Sequence, residues 1–354
     1  MIFALWAAGF CAVAAGLHLA TVAIASCRCR RRVPGPATSG PTPAVTVLRP
    51  VCGAEPFAGE TLGSGFRLLY ADYEMIFCFA RKDDPVVPIV RRLIDDNPQV
   101  PARLLIGDER FCANPKLDNL RKGWQAALHE WIVIADSNVL MPRDCLQRLL
   151  GRWQDDTGAV CSMPLGTRPE NFWAELECAF LNTFQARVQY VSEALGCGFA
   201  QGKTMLLRRD LVERGGGFRG LAAETAEDAA VTKMVRALGR RVHLVDRPFD
   251  QPLGRRSAAA VWARQLRWAR LRRMSFPVLF LPEVFAGSAL PSLALALAAS
   301  HYGVNVPAAV ASFLILWFGA EAALARLAGW RMSARMAAAL LLRDLLLPVL
   351  WVAA

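Results

Sequence analysis

The sequence predicts an α/β domain built on a doubly wound, mostly parallel sheet, with membrane-spanning helices before and after it. Three observations carry that reading. Between residues 44 and 163, short apolar runs rich in β-branched residues alternate with stretches of helical spacing, the pattern of parallel βαβ units. The chain is 54% hydrophobic, and the excess is concentrated in residues 2–26 and 276–354. One run, Trp131-Ile132-Val133-Ile134-Ala135, leads straight into Asp136-Ser137-Asn138. An acid there stands beyond the carboxyl end of a buried strand, where open α/β sheets bind their ligands, although a turn Asp that only caps the next backbone segment would look the same.

Taken in order, residues 2–26 lack formal charge apart from His18 and are followed by Arg28, Arg30, Arg31 and Arg32. That length crosses a ~30 Å hydrocarbon core at about 1.5 Å per residue. Positive charge on its carboxyl side predicts an amino terminus outside, a cytoplasmic continuation, and an anchor rather than a signal peptide. Residues 1–27 thus read as an anchor. Residues 28–43, basic and then rich in Pro, Gly, Ser and Thr, read as a linker. Residues 44–253 read as one cytoplasmic domain, with strands at 44–48, 74–80, 102–106, 131–135 and 159–163, and helices at 85–97, 116–130 and 142–153. Residues 254–274 carry seven arginines among Val261, Trp262, Leu266, Trp268 and Leu271, the composition of a basic helix in the membrane interface. Residues 275–354 form a membrane region with apolar stretches at 276–298, 306–324 and 337–354. The loop 301–305 lacks Lys and Arg, while Arg326, Arg331 and Arg335 lie between the last two stretches, so the spans run out, in, out. Pro282, Glu283 and Pro291 interrupt the first, which reads as kinked or partly interfacial.

A net charge of +11 points to an anionic partner: a membrane surface, a nucleic acid or a phosphorylated substrate. The ten cysteines form no CxxC pair, and Cys78, Cys161 and Cys178 lie inside apolar runs. That usage implies buried free thiols in a reducing compartment, not a disulfide framework or a zinc site. His129 and His243 have no metal-ligand spacing and read as structural.

The acids with catalytic potential are Asp83-Asp84, Asp136 and Glu227-Asp228. The first two sets follow strands and would meet in one crevice at the sheet edge. Each also has a structural reading: Asp84-Pro85 as a helix start, Glu227-Asp228 as first-turn acids favoured by the helix dipole. Lys203, in Gly202-Lys203-Thr204, has a charge suited to phosphate. Without an upstream glycine at Walker spacing, however, it reads as an ordinary turn lysine.

Four segments together resemble the ceramide glucosyltransferase family, inverting nucleotide-sugar-dependent glycosyltransferases of the GT-A type. They are Asn114-Pro115-Lys116-Leu117-Asp118-Asn119-Leu120, Asp136-Ser137-Asn138, Glu227-Asp228 and Arg264-Gln265-Leu266-Arg267-Trp268, and the match spans residues 45–277. The resemblance implies a GT-A catalytic domain in which Asp228 is the base that takes the acceptor's proton. Asp136 would hold the diphosphate's Mg²⁺ or Mn²⁺, and Asp83 or Asp84 would sit near the uridine. Arg264, Gln265, Arg267 and Trp268 would close the acceptor side, the arginines meeting diphosphate charge and Trp268 lining the acceptor path. The chain departs from the family pattern twice. Its DSN lacks the second carboxylate of a DxD metal motif, and Arg81-Lys82 stands where better-known members carry an Asp.

The reading that follows is a multi-pass enzyme, of the bacterial inner membrane, whose catalytic domain faces the cytoplasm. It would move a sugar from a UDP-sugar to a hydroxyl of a membrane lipid. A chain this rich in Ala and Arg resembles the hopanoid branch of the family, implying a polyol acceptor and UDP-N-acetylglucosamine. Ceramide with UDP-glucose is the other option. Two rivals stand beside it. A processive polysaccharide synthase shares the acids and QxxRW but usually needs more spans. A membrane-tethered nucleic-acid binder explains the charge but not acids at strand ends, and no nucleic-acid partner is expected.

Overall fold

The computed structural model describes residues 1–30, 42–108 and 110–354; most of the linker, with Arg31 and Arg32, lies outside the described residues. The chain forms two compact units. One comprises Arg32–Leu165 and Ser192–Pro252, the other Met1–Arg31, Gly166–Val191 and Leu253–Ala354. The stretch 44–253, read from sequence as one domain, therefore contains an excursion that belongs with the apolar helices.

Among the described residues nine strands occur in chain order: β1 (Val45–Val51), β2 (Tyr73–Phe79), β3 (Ala102–Ile106), β4 (Trp131–Ala135), β5 (Thr157–Ser162), β6 (Pro164–Pro169), β7 (Thr204–Arg208), β8 (Arg241–Leu244) and β9 (Phe249–Gly254). Seven form a sheet in the order β3-β2-β1-β4-β7-β5-β8, and β6 pairs with β9 in a separate two-stranded sheet. In the large sheet β1, β2, β3 and β4 run parallel, and β5 and β8 run parallel. Only β7 is reversed, antiparallel to both β4 and β5. The expected mostly parallel sheet is present. Its inner strands β1, β2, β4 and β5 are buried on both faces, which is why β1, β2 and β4 read as continuous apolar runs. Val47, Met75, Phe77, Val133 and Leu206 anchor one core cluster beneath it. The winding reverses between β1 and β4, which creates a switch point just beyond Ala135.

In the other unit, Ile2–Arg30, Val306–Ala328 and Met336–Ala353 are long and apolar enough to cross a membrane. Pro277–Phe285 and Ala289–His301 pass the same test together, bent by 43° across the break Ala286-Gly287-Ser288. Residues 172–194 are helical throughout, with a π-helical segment at Phe180–Ala186. A charged network is buried among these helices. Arg343 pairs with both Glu321 oxygens at 2.9 Å and with Asp344, and it donates to Thr183 Oγ1 at 2.8 Å. Arg187 lies 3.6 Å from Glu321 and donates to His18 Nδ1 at 2.7 Å, while His18 Nε2 donates to the Trp317 carbonyl. Charges this deep persist only as a mutually paired set.

Candidate active site

Asp136 follows β4 at the switch point, and two residues behind it fix its loop. Arg49, fully buried on β1, reaches the carbonyls of Thr61, Ser137 and Val139 at 3.1–3.3 Å. Thr61 Oγ1 donates to the Ser137 carbonyl at 2.7 Å. Burial lowers the Arg49 pKa to about 10, so it remains a cation. The loop backbone is thus held from below while the Asp136 carboxylate projects forward.

The segment Asn114–Leu120 supplies the next layer. Asn114 caps the Pro115–Ala126 helix by accepting from Lys116 N, with Pro115 at the first turn, and its side-chain amide donates to Glu227 at 3.0 Å. Leu117 and Leu120 are buried in the core. Asp118 Oδ1 accepts the N–H groups of Phe111 and Cys112, and Asn119 donates to the carbonyls of Val51 and Cys78 near the ends of β1 and β2. Lys116 then meets Asp136 Oδ1 at 2.7 Å, Glu227 Oε1 at 2.6 Å and the Gly202 carbonyl at 2.7 Å. Three acceptors saturate an ammonium. Burial alone would lower the Lys116 pKa, but Asp136 and Glu227 raise it above the ordinary lysine value.

The other oxygen of Asp136 is also occupied. Register pairs Ala135 with Thr204, so the reversed β7 begins beside the end of β4 and places Lys203 next to Asp136. Lys203 Nζ lies 2.9 Å from Asp136 Oδ2 and 3.2 Å from Asn138 Oδ1, with its side chain only 15% exposed. It lies in a turn, as the sequence suggested, but not at the surface. Burial would raise the Asp136 pKa, but Lys116 and Lys203 outweigh it and hold the carboxyl well below the usual carboxylate range.

Asp228 sits in the first turn of the Glu227–Ala237 helix. It accepts from Ala229 N at 2.8 Å and from Gly202 N at 3.3 Å. Burial, and then the charge of Glu227, push its pKa up to about 6 against the pull of Lys116 and the two N–H groups. Gly202 lies at the centre of the set. A Cβ there would meet Glu227 Oε1 at 2.7 Å and come within 3.5 Å of Lys116 and Asp228, so only glycine lets the acids and the lysine converge. Asp136, Lys203, Lys116, Glu227 and Asp228 thus form one cluster at the carboxyl edge of the sheet.

Asp83 and Asp84 stand apart from this cluster in role. Asp83 is exposed and pairs with Arg81 at 2.5 Å. Asp84 accepts from Val86 N and, at 2.7 Å, from Gly53 N, tying the loop after β2 to the loop after β1. The RxxRW residues belong to the other unit, on the Ala258–Ser275 helix that Ser257 caps. Arg264 is paired with Glu177, Arg267 is exposed, and Trp268 packs against a buried apolar cluster. Arg256 also meets Glu177, and Arg272 pairs with Glu283, so three of the seven arginines of the basic segment make ion pairs within the chain. Gln265 is buried. One end of its amide meets Gln185 on the π-helical segment at 3.2 Å, and among the described residues the other end has no partner. It opens on a cleft lined also by Phe180, Phe184, Phe280 and Trp351.

A divalent ion of the Mg²⁺ or Mn²⁺ type wants several oxygen ligands, carboxylates foremost. Here both oxygens of Asp136 already receive an ammonium, and an amide stands where a second carboxylate would. Among the described residues no three His, Cys, Asp or Glu side chains are grouped to hold a metal. The residues present do not fit a metal held by the protein, against the expectation placed on Asp136. The reason is the two lysines.

A sheet with one reversed strand and a charged cluster at its switch point defines a GT-A glycosyltransferase fold. A solved mannosyltransferase from Pyrobaculum calidifontis, in complex with GDP-Man and Mn²⁺, shares that fold. Its TM-score is 0.52, at 20% identity, over 96% of this chain and 98% of that one. The chain belongs to glycosyl transferase family 21, whose model matches residues 5–354. Among curated relatives, ceramide glucosyltransferase 3 of Caenorhabditis elegans is 24% identical over 282 residues, covering 79% of this chain and 61% of its own. Ceramide glucosyltransferase 1 of the same organism is 25% identical over 263 residues, covering 74% and 56%. Ceramide glucosyltransferase of Komagataella phaffii is 38% identical over a shorter stretch of 108 residues, covering 29% and 21%. The chain therefore spans about three fifths of the length of the first two.

Proposed function

We propose that this chain is an inverting glycosyltransferase that moves a sugar from a UDP-sugar to a hydroxyl of a membrane lipid, with Asp228 as the base. The observation that carries the reading is the environment of Asp228. Burial and the charge of Glu227 push its pKa up to about 6, and it stands beside a lysine-and-carboxylate cluster at the switch point of a nucleotide-sugar-type fold. In the proposed step the acceptor oxygen attacks the anomeric carbon and its proton passes to Asp228. The bond from that carbon to the diphosphate breaks, UDP leaves with the electron pair, and the configuration inverts. Asp84 supports the nucleotide by tying together the two loops it would lie against, with Asp83 at the solvent side. No step is routed through the Mg²⁺ or Mn²⁺ that the family resemblance attaches to Asp136.

The acceptor side rests on the RxxRW helix and its cleft. The side chains of Phe180, Phe184, Phe280 and Trp351 beside Gln265 give this helix apolar surroundings compatible with hydrocarbon. Ceramide with UDP-glucose is favoured by the names of the curated relatives; a hopanoid polyol with UDP-N-acetylglucosamine is favoured by the Ala- and Arg-rich composition. Internal pairing of Arg256, Arg264 and Arg272 reduces the cationic surface that a nucleic-acid binder would need. The test is to incubate membranes containing the chain with labelled UDP-sugars and lipid extracts and to identify the product by mass spectrometry. A ceramide hexoside or glycosylated hopanoid is the expected result. A polymer, or no lipid-linked sugar with any donor, overturns the reading.

A further inference from the structure

We propose that Lys203 is the built-in cation of the donor site: seated between Asp136 and Asn138, it takes the charge of the leaving diphosphate, and donor binding needs no added divalent metal. The inference rests on the glycosyltransferase reading above and concerns how that site manages charge.

Its basis is the contrast between the two lysines. Lys116 has all three N–H groups engaged, by Asp136, Glu227 and the Gly202 carbonyl. It is a fixed strut. Lys203 has two acceptors, Asp136 Oδ2 and Asn138 Oδ1, and among the described residues its third N–H has none. The side chain as a whole keeps 15% of its surface exposed. Asp136 and Asn138 grip the ammonium as the two acids of a DxD motif would grip a metal, and the amide at 138 suits a singly charged occupant. With Asn138 in place of a second carboxylate, Asp136 is shared between Lys116, which also serves Glu227, and Lys203, whose third N–H is left to meet an incoming anion. The position is imposed by the backbone. Asp136 N donates to the Lys203 carbonyl at 2.9 Å, fixing the lysine's own residue against the loop.

The experiment measures UDP binding to the full-length protein in lipid nanodiscs by calorimetry, in EDTA and in Mn²⁺. Wild type is expected to bind in EDTA within about threefold of its affinity in Mn²⁺, the ammonium already supplying the charge-assisted contact. Lys203→Met should lose about tenfold to a hundredfold in EDTA, the range for a lost hydrogen bond to a charged group. Mn²⁺ should restore much of that loss by entering between the freed oxygens of Asp136 and Asn138. Lys203→Arg, which keeps the charge, should stay within a few-fold of wild type in EDTA and separates loss of charge from loss of fold. Wild-type binding that requires Mn²⁺ overturns the proposal, as does wild-type affinity of Lys203→Met in EDTA. Absence of UDP binding in both buffers, with the protein folded, overturns the donor-site reading itself.

Discussion

Asp228 and Glu227 are adjacent in sequence, yet one lysine sets them in different environments. Lys116 takes the Glu227 carboxylate into a salt bridge, while Asp228 keeps only two N–H contacts and is pushed up to about 6 by burial and by its neighbour's charge. A base works only when ionised, so kcat/KM should fall below about pH 6 with the slope of a single proton, whereas an ordinary Asp would hold the rate down to about pH 4. Removing the neighbouring charge in Glu227→Gln frees Lys116 to attract Asp228 and removes the repulsion. Both effects lower its pKa, and the acid limb should move to lower pH. Asp228→Asn should abolish transfer while UDP binding persists. A pH–rate profile of the three proteins decides the point: a limb that does not move in Glu227→Gln refutes the coupling, and turnover in Asp228→Asn refutes the base. Both acids were legible in the sequence because they sit at motif positions. Lys203 was not, because its place beside Asp136 depends on β7 running backwards, and no local pattern in Gly202-Lys203-Thr204 encodes strand direction.

At the level of elements, β3 and β4 occur at the residues the apolar runs marked, and the helix expected at 116–130 ends earlier, at Ala126, where Ala127 turns extended. Local periodicity suffices for such pieces because their burial pattern repeats along the chain. It fails for residues 172–194. Glu175 and Glu177 interrupt that run as if solvated, but they are buried against Ser333, Arg331, Arg256 and Arg264, partners 79 to 158 positions away. The Glu321–Arg343–Asp344–Arg187–His18 network is hidden in the same way, since His18, Arg187, Glu321 and the Arg343-Asp344 pair lie on four separate segments whose meeting no local pattern encodes. Its pairing gives a test. Glu321→Gln keeps the shape but leaves Arg343 and Arg187 short of a counter-charge, a loss of about 3–5 kcal/mol for a broken buried pair. The double variant Glu321→Leu with Arg343→Met removes both charges and should recover most of the thermal midpoint in nanodiscs. An unchanged midpoint in Glu321→Gln shows that the network does not hold these helices together.

For the whole molecule the open question is parity: whether the bent pair Pro277–Phe285 and Ala289–His301 crosses the membrane or turns back. The helices themselves allow three spans or four. Charge distinguishes the two. Residues 301–305 carry no Lys or Arg, and the segment between Val306–Ala328 and Met336–Ala353 carries Arg331 and Arg335, with Arg326 in the last turn before it. With the α/β unit in the cytoplasm, a crossing by the bent pair puts 301–305 outside and the arginines inside, as the positive-inside rule requires. A re-entrant pair reverses both loops and sets the arginines on the wrong face. Four crossings therefore follow if the donor site faces cytoplasmic UDP-sugar. Val304→Cys and Ala334→Cys place a thiol in each loop at exposed positions. In intact cells an impermeant maleimide should add a mass shift to the Val304→Cys variant over the wild-type pattern and none to Ala334→Cys, with the order reversed in inside-out vesicles. Labelling of Ala334→Cys from outside would mean that the pair turns back, or that the α/β unit lies on the other face; the native Cys52 and Cys197, both exposed in that unit, distinguish these outcomes by the side from which they react.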